Sequence, residues 1–460
     1  MRLSGPEHPA VIGAGDGITG APTASASTPP AGWSTRGPSD TSAAARSEPW
    51  GGLRSRTLHH RGEPVKALPS ATSEESDTGV QDPQDDHAGA YWPNPDQTLL
   101  LCAAVLPAPQ AHAAWQALRP RVDLARLDRA SLRLLPLLDA NLRRHGIDDP
   151  LGDALALARE RAAARNRTLF EGGRRLLATL ADAGIDTLML KGGALAATVY
   201  DNPGLRPMSD LDVLVPTALA RAAIDALERQ GWAPRIAITP GFIRTQHAAD
   251  MVAEGGAVKC DLHWHAYWEC CRPDADADLW AASTALDFDG APTRALAPAD
   301  QLLHVCVNGS RRARRPSLLW IPDALRLVEA GGIDWPRLLA QAAARRFSLR
   351  ARTMLAYLRG AFDARVPDEA LVGLGAIRVS GLERREFRVG NRPQGLLGEL
   401  PNYWCNYRRL DGGTGMPPLL GFPFYLQQTW KVRSLGATAR GALTRAGQRL
   451  RAALRPQGER

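Results

Sequence analysis

The amino-acid sequence predicts an α+β fold, in which a small sheet with its own helices is flanked by helical regions. Three observations support this prediction. Short apolar runs and helices follow one another between residues 184 and 298, and three- and four-residue hydrophobic spacing, typical of helices, occurs on both sides of that segment. Residues 1–92, by contrast, contain few large apolar side chains. The 460-residue chain is 44% hydrophobic, enough for a sizeable core.

The first part of the chain divides into two predicted regions. Residues 1–92 are rich in Gly, Pro, Ser, Thr, Ala and charged residues, so they cannot bury enough surface to offset their ordering entropy, and we expect a disordered tail. Residues 93–183 are predicted to be helical. In the last helix Leu169, Leu176 and Leu180 form a face for the sheet, and Gly184 is the C-cap. We interpret this region as support for the core, with recognition of an acceptor as the alternative.

The central segment, residues 186–216, reads DTLMLKGGALAATVYDNPGLRPMSDLDVLVP. Its apolar run at 187–190 is typical of a buried strand, and Gly192 and Gly193 allow a sharp turn into a helix over 194–200. The amino end of that helix presents unpaired N–H groups and the positive end of the helix dipole, which favour phosphate. We therefore predict a phosphate-binding turn, with Lys191 either on the phosphates or at the strand end facing solvent.

Two carboxylates open the next predicted strand, over 209–215. Side chains alternate on a strand, so Asp210 and Asp212 share one face. Carboxylates this close repel each other unless a cation joins them, and Mg²⁺ (or Mn²⁺) takes carboxylate oxygens together with substrate phosphates. Taken alone, the pair also fits a hydrated strand edge or turn, but the preceding turn favours a metal site. Arg206 and Ser209 are further candidates for nucleotide binding.

Three motifs together carry a resemblance: KGGALA, RPMSDLDVLV and the later VKCDLHWH. They resemble the nucleotidyltransferase superfamily that includes DNA polymerase β and kanamycin nucleotidyltransferase. They are most similar to a bacterial family of uncharacterised nucleotidyltransferases with the patterns LKGxAL, RxMxDxDLLV and a strand ending in DLHW. The resemblance covers roughly residues 169–345. It implies a polymerase β-like catalytic core with a small mixed sheet at residues 184–298. It also implies an NTP substrate and a third catalytic, metal-binding carboxylate, Asp261, beside Asp210 and Asp212.

The strand predicted over 252–265 ends in a stretch rich in His and Cys. Alternation places Asp261, His263 and His265 on one face. We predict that His263 packs or hydrogen-bonds to order Asp261, with direct contact to substrate or metal as the alternative. Three cysteines between 260 and 271 raise a zinc site as a rival. Alternation points Cys260 away from the histidines and no CxxC pair is present, so zinc is less favoured.

The rest of the chain is predicted to hold a helical region at 299–375 and a C-terminal region at 376–460. The arginine-rich run at 311–315 is interpreted as a solvated loop, with contact to a triphosphate or an anionic acceptor as the alternative. Asp323 either begins a helix, the favoured role, or is a site carboxylate. A basic amphipathic helix over 430–454 either packs on its own domain, which is favoured, or lies on a membrane surface or an acidic partner.

Charge and cysteine content limit the partners and the compartment. A net charge of +8 favours phosphate-bearing partners without choosing among an NTP, a nucleic acid and an anionic membrane. Nucleic acid is the less favoured partner, because the basic residues are scattered and no aromatic-rich binding motif accompanies them. Six cysteines without a compact framework, no secretory signal and no apolar stretch of about 18 residues predict a cytoplasmic protein with free thiols.

The sequence therefore predicts a metal-dependent nucleotidyltransferase that moves an NMP from an NTP to an acceptor and releases pyrophosphate. The resemblance suggests a small molecule, a peptide or a glycan as the acceptor. Two alternatives stay open. One is a non-catalytic nucleotide-binding or scaffold protein that retains the fold. The other is a phosphotransferase that uses the same metal site to move the γ-phosphoryl group.

Overall fold

A computed structural model of the chain describes residues 92–311, 317–391, 399–410, 418–430, 432 and 434–453. The disorder predicted for residues 1–92 therefore falls, Trp92 apart, outside the described residues. So do three of the four arginines in the run at 311–315. All described residues belong to one compact unit, Ala67–Arg460.

Helices precede the sheet, as the hydrophobic spacing predicts. Asn94 caps the first of them by accepting a hydrogen bond of 2.9 Å from the backbone N–H of Gln97. The last helix buries Leu169, Leu176 and Leu180 in the core cluster that includes one face of the sheet, which confirms the predicted packing face. These helices are α1 (Pro95–Val105), α2 (Ala108–Leu118), α3 (Arg129–Leu132), α4 (Leu135–Arg144) and α5 (Gly152–Asp182).

The sheet has seven strands within the described residues, and it is mixed. They are β1 (Leu188–Leu190), β2 (Leu211–Leu214), β3 (Ala233–Pro234), β4 (Ala248–Val252), β5 (Lys259–His263), β6 (Thr284–Phe288) and β7 (Ala291–Ala295). Their spatial order is β3-β4-β5-β2-β1-β7-β6. β1 is antiparallel to β2 and parallel to β7, and β2 is parallel to β5. The predicted α+β class with a mixed sheet is confirmed.

Four helices connect the strands: α6 (Lys191–Thr198), α7 (Ala220–Arg229), α8 (Pro240–Thr245) and α9 (Ala277–Ala282). The helix after β1 begins at Lys191, three residues before the predicted start, and Lys191 itself adopts the left-handed conformation with φ of 44°. The single strand predicted over 252–265 is wrong. Gly255 and Gly256, at φ of 76° and 72°, turn the chain back between β4 and β5, which pair antiparallel.

Both faces of the sheet are covered, and β1 shows this most clearly. Leu188 and Leu190 point into a core built with the N-terminal helices and the helices after β7, whereas Met189 points into a core with α5 and α7. All three side chains are fully buried. The central strands are therefore held from both sides, which gives the side chains at their ends a rigid support.

Helices complete the described chain: α10 (Pro298–Gly309), α11 (Trp320–Ala330), α12 (Trp335–Ala344), α13 (Ser348–Phe362), α14 (Asp368–Ala376), α15 (Gly381–Asn391), α16 (Leu400–Arg409), α17 (Pro418–Trp430) and α18 (Leu435–Ala453). The predicted C-terminal helix is thus present as α18. Its Leu443 is 72% exposed. In the part of the chain that the structure describes, no helix is long and apolar enough to cross a membrane.

Candidate active site

Two carboxylates lie side by side in the middle of the sheet. Asp212 in β2 and Asp261 in β5 are Cα partners in a parallel pair of strands, so their side chains leave the same face. His263 is two residues further along β5. Each of these three residues offers one ligand atom, and the three atoms lie within 4.8 Å of one another. Strand pairing therefore assembles a compact group from two separate motifs.

Asp212 is buried, and two nitrogen-bearing groups hold its carboxylate. The Lys191 ammonium lies 2.5 Å from Oδ1, and His263 Nε2 lies 3.1 Å from the same oxygen. Burial by itself would raise the pKa of Asp212, but the Lys191 charge and the interaction with His263 outweigh it and hold the pKa below its usual range. The Asp212 carboxylate is therefore ionised at neutral pH, and Lys191 contacts it rather than facing solvent alone.

Asp261 has the opposite electrostatic environment. Burial, the neighbouring Asp212 charge and a hydrogen bond with Asp250 raise the pKa of its carboxyl group. Asp250 is its antiparallel Cα partner in β4. Two carboxyl groups that resist being ionised together are the arrangement that a divalent cation relieves, so the pair fits a metal ion such as Mg²⁺ or Mn²⁺.

His263 contacts Asp212 rather than Asp261, so the predicted hydrogen-bonding partner is wrong. Its Nδ1 lies 3.3 Å from the backbone oxygen of His265. A metal-binding histidine commonly donates one ring N–H to a backbone carbonyl and offers the other nitrogen to the ion. With its proton on Nε2, His263 donates to Asp212 Oδ1; with its proton on Nδ1, the Nε2 lone pair would face the two carboxylates as a metal ligand does. The ring is buried and packs edge-on against His247, with centroids 5.1 Å apart.

Asp210 lies one residue before β2 and outside this three-residue group. Its Oδ1 accepts a hydrogen bond of 3.0 Å from the hydroxyl of Ser209. Burial, together with the charge of Asp212, raises the pKa of Asp210. The structure thus places Ser209 and Asp210 directly before the strand that carries Asp212. Their predicted roles in metal and nucleotide binding stay predictions.

Arg206 is bound to a carboxylate from another part of the chain. Its Nε and Nη2 donate to the two oxygens of Asp323 at 3.1 and 2.7 Å, and the hydroxyl of Tyr200 donates to Asp323 at 2.7 Å. Asp323 lies in the first turn of α11 and is buried. The favoured structural role of Asp323 agrees with these contacts. The predicted binding of triphosphate by Arg206 stays a prediction.

The two glycines of the KGG motif lie in the first turn of α6, where close packing excludes a side chain. A Cβ added to Gly192 would collide with Nη1 of Arg206, and one added to Gly193 would lie 2.6 Å from Sδ of Met189. Their backbone N–H groups have no acceptor within the helix, because the first turn of an α-helix leaves its donors unpaired. Their phosphate-binding role stays a prediction.

The zinc alternative finds no support in the described residues. Asp212, Asp261 and His263 are the only group of three or more His, Cys, Asp or Glu side chains that is placed to hold a metal there. His265 lies beyond the end of β5, and its Nδ1 is 3.3 Å from Asp276 Oδ2. All six cysteines are free thiols, as predicted.

Arg311, the one described arginine of the basic run, is paired with a buried carboxylate, and its side chain is 23% exposed. Its Nη2 donates to Glu269 at 2.7 Å, and Arg350 Nη1 donates to the other oxygen of Glu269 at 2.6 Å. Glu269 is buried. The local sequence contains no signal for this triad, because Glu269 and Arg350 come from distant segments.

A comparison with protein families shows the family of the chain. A sequence model of the uncharacterised nucleotidyltransferase family matches residues 129–363, just over half of the chain. The chain belongs to this nucleotidyltransferase family. The matched segment contains every residue of the candidate site and extends beyond the predicted resemblance on both sides, so that it includes α3, α4 and α5.

Solved structures and curated proteins add little to the family assignment. The nucleotidyltransferase chain is similar to an antigenic nucleotidyltransferase-like protein from Paracoccidioides brasiliensis, at 18% sequence identity and a TM-score of 0.31, over 45% of this chain and 96% of that one. No curated protein matches the chain.

Proposed function

We propose that this nucleotidyltransferase moves a nucleoside monophosphate from an NTP to an acceptor in a reaction that depends on a divalent metal and releases pyrophosphate. One observation carries the proposal: in a chain of a nucleotidyltransferase family, Asp212 and Asp261 stand in register on adjacent parallel strands with His263 beside them. A small molecule, a peptide or a glycan is the proposed acceptor class.

The metal would be held by Asp212 and Asp261, with His263 or Asp210 as a further ligand. When bound, a divalent ion supplies positive charge to the phosphate oxygens and to the leaving pyrophosphate. Lys191 contacts Asp212, so it stands where it can transfer its contact from the carboxylate to a phosphate oxygen. The unpaired N–H groups in the first turn of α6 lie directly after β1 and can bind the phosphate chain.

The reaction is an in-line substitution at the α-phosphorus. A bond forms between the acceptor's nucleophilic atom and the α-phosphorus, while the bond from that phosphorus to the oxygen bridging to the β-phosphate breaks. The electron pair of the broken bond leaves with pyrophosphate. The acceptor's proton passes to a base. Among the site carboxyl groups Asp261 is the candidate, in its ionised form and if it does not serve as a ligand.

The cellular setting forms part of the same proposal. All six cysteines are free thiols, which fits a reducing compartment, and we propose the cytoplasm. Helix α18, with Leu443 exposed, is the proposed place of any peripheral membrane contact.

The test uses the full chain, each of the four NTPs labelled with ³²P at the α-phosphate, and Mn²⁺ or Mg²⁺ in extract of the source cells. Transfer of label to a discrete acceptor, with equal release of pyrophosphate, is expected. Asp212→Asn and Asp261→Asn should each abolish transfer, and Asp334→Asn, which changes a helix N-cap far from these strands in the sequence, should not.

The alternatives give different products in the same experiment. A phosphotransferase would release NDP and transfer label only from γ-labelled NTP. A scaffold protein would bind NTP with no transfer in any extract. If neither NTP binding nor transfer occurs with either metal, the proposed function is wrong.

A further inference from the structure

The cations predicted to bind the triphosphate are already neutralised by carboxylates of the chain. Lys191 is bound to Asp212, and Arg206 is bound to Asp323 through two hydrogen bonds. A triphosphate adds several negative charges to a site that already holds three carboxyl groups. A divalent ion held by Asp212 and Asp261 would offset part of this negative charge. A further cation outside the two pairs would offset more of it, because unpaired like charges in a partly buried site repel strongly.

Arg133 supplies such a charge from outside the recognised motifs. It lies at the junction of α3 and α4, and its Nη2 donates a hydrogen bond of 2.8 Å to the backbone oxygen of Pro207. Pro207 belongs to the loop that runs from Arg206 to Asp210. Pro207 lies three residues before Asp210, so this upstream helical segment contacts the loop that carries a predicted site residue. The charges of Arg206, Asp323 and Asp210 all affect the pKa of Arg133.

The guanidinium of Arg133 can donate further hydrogen bonds. Within the part of the chain that the structure describes, Arg133 forms no ion pair, and only one of its three nitrogen atoms makes a hydrogen bond. A guanidinium presents five N–H donors in a planar fork, a geometry that matches two phosphate oxygens. Burial, aided by the like charge of Arg206, lowers the pKa of Arg133 to about 10, which leaves it charged at neutral pH.

We propose that Arg133 binds the triphosphate of the NTP, through the face of its guanidinium fork that does not contact Pro207. This inference rests on the proposed function, since it names a phosphate-binding residue of the same site. Pro207, which accepts the Arg133 hydrogen bond, follows Arg206, and Arg206 packs against Gly192 in the first turn of α6. Arg133 and the first turn of α6 therefore both contact the loop from Arg206 to Asp210.

The test compares Arg133→Gln and Arg133→Lys with Arg144→Gln in the full chain. Glutamine removes the charge and is too short to keep the Pro207 hydrogen bond in place, whereas lysine keeps the charge. Binding of the NMPs and thermal unfolding therefore report any effect of the lost loop contact. Arg144 is an exposed arginine at the end of α4 and serves as the matched control. Isothermal titration with Mn²⁺ measures the affinity for ATP, GTP, CTP and UTP and for the corresponding NMPs, and thermal unfolding verifies that each variant folds.

Arg133→Gln should weaken binding of the preferred NTP by about 10- to 100-fold, the range for one or two hydrogen bonds to a charged group, and should change NMP affinity far less. Arg133→Lys should recover part of the loss, and Arg144→Gln should bind as the wild type does. Equal NTP affinity of Arg133→Gln and wild type would overturn this inference alone, as would equal losses for NTP and NMP. If the wild-type chain binds no NTP, the proposed function fails first.

Discussion

Replacing the carboxylate of Asp323 by an amide tests whether this residue is structural or belongs to the reacting site. Asp323 accepts three hydrogen bonds, two from Arg206 and one from Tyr200. The side chains of Arg206 and Asp323 are only 12% and 3% exposed. Asp323→Asn keeps the shape of the side chain and removes its charge, so the guanidinium of Arg206 is left buried without a counter-charge.

The expected loss is large, because removing one partner of a buried ion pair costs about 3–5 kcal/mol of unfolding free energy. The pair is largely shielded from water, so solvent screening reduces this value little. Neutralising both partners should cost much less, since no unpaired charge then remains. We therefore expect Arg206→Gln combined with Asp323→Asn to be more stable than the sum of the two single losses predicts.

Urea unfolding, followed by the fluorescence of the 12 tryptophans, measures the free energy for the wild type, the two single variants and the double variant. A positive coupling of 1 kcal/mol or more is expected, within the range of about 0.5–3 kcal/mol measured for contacting residues. A wild-type unfolding free energy for Asp323→Asn, with nucleotidyl transfer lost, would refute the structural role and make Asp323 a site carboxylate.

Three further predictions concern stability. Burial and a neighbouring carboxylate raise the pKa of Asp261, so above pH of about 4 the folded, metal-free chain retains a proton that the unfolded chain releases, and its stability falls as pH rises. Asp261→Asn should therefore raise the melting temperature of metal-free protein at pH 7 but not at pH 4; an equal gain at both would contradict this. Glu269→Gln should lower the unfolding free energy measured in urea by about 3–5 kcal/mol, because the guanidinium groups of Arg311 and Arg350 lose their shared buried counter-charge. An unfolding free energy equal to that of the wild type would argue against the importance of these ion pairs. Gly192→Ala should cost about 1–3 kcal/mol through overpacking, whereas Gly152→Ala, with open space around its Cβ position, should not destabilise; similar values for the two would show that the close packing is unimportant.

The sequence by itself predicted the carboxylates of the candidate site. Asp212 followed from a local pattern, an acidic pair opening an apolar strand, and Asp261 followed from the resemblance of its DLHW strand to the family. Side-chain alternation, turn-forming glycines and helical spacing act over a few residues, so a single chain reveals them. These patterns predicted the strands of the core and the flanking helices, and the joint motifs predicted the mixed sheet and the family to which the chain belongs.

Strand boundaries were less well predicted, for a local reason that was available in the sequence. The adjacent glycines at 255 and 256 interrupt the stretch that was predicted as one strand, and the structure uses them for the turn between β4 and β5. β6 and β7 were not predicted individually. Their pattern of polar and apolar residues is weak, since β6 lies at the edge of the sheet and exposes several of its side chains.

Only the tertiary structure decided which charged groups meet. The register of β2 against β5 puts Asp212 opposite Asp261, His263 contacts Asp212, and Asp323 holds Arg206 from a helix more than a hundred residues away. Arg133, at the junction of α3 and α4, donates a hydrogen bond to the backbone oxygen of Pro207, in the loop that follows Arg206. These contacts join residues far apart in the sequence. Local periodicity fixes the face on which a side chain lies, but the partner across that face depends on how whole strands and helices pack.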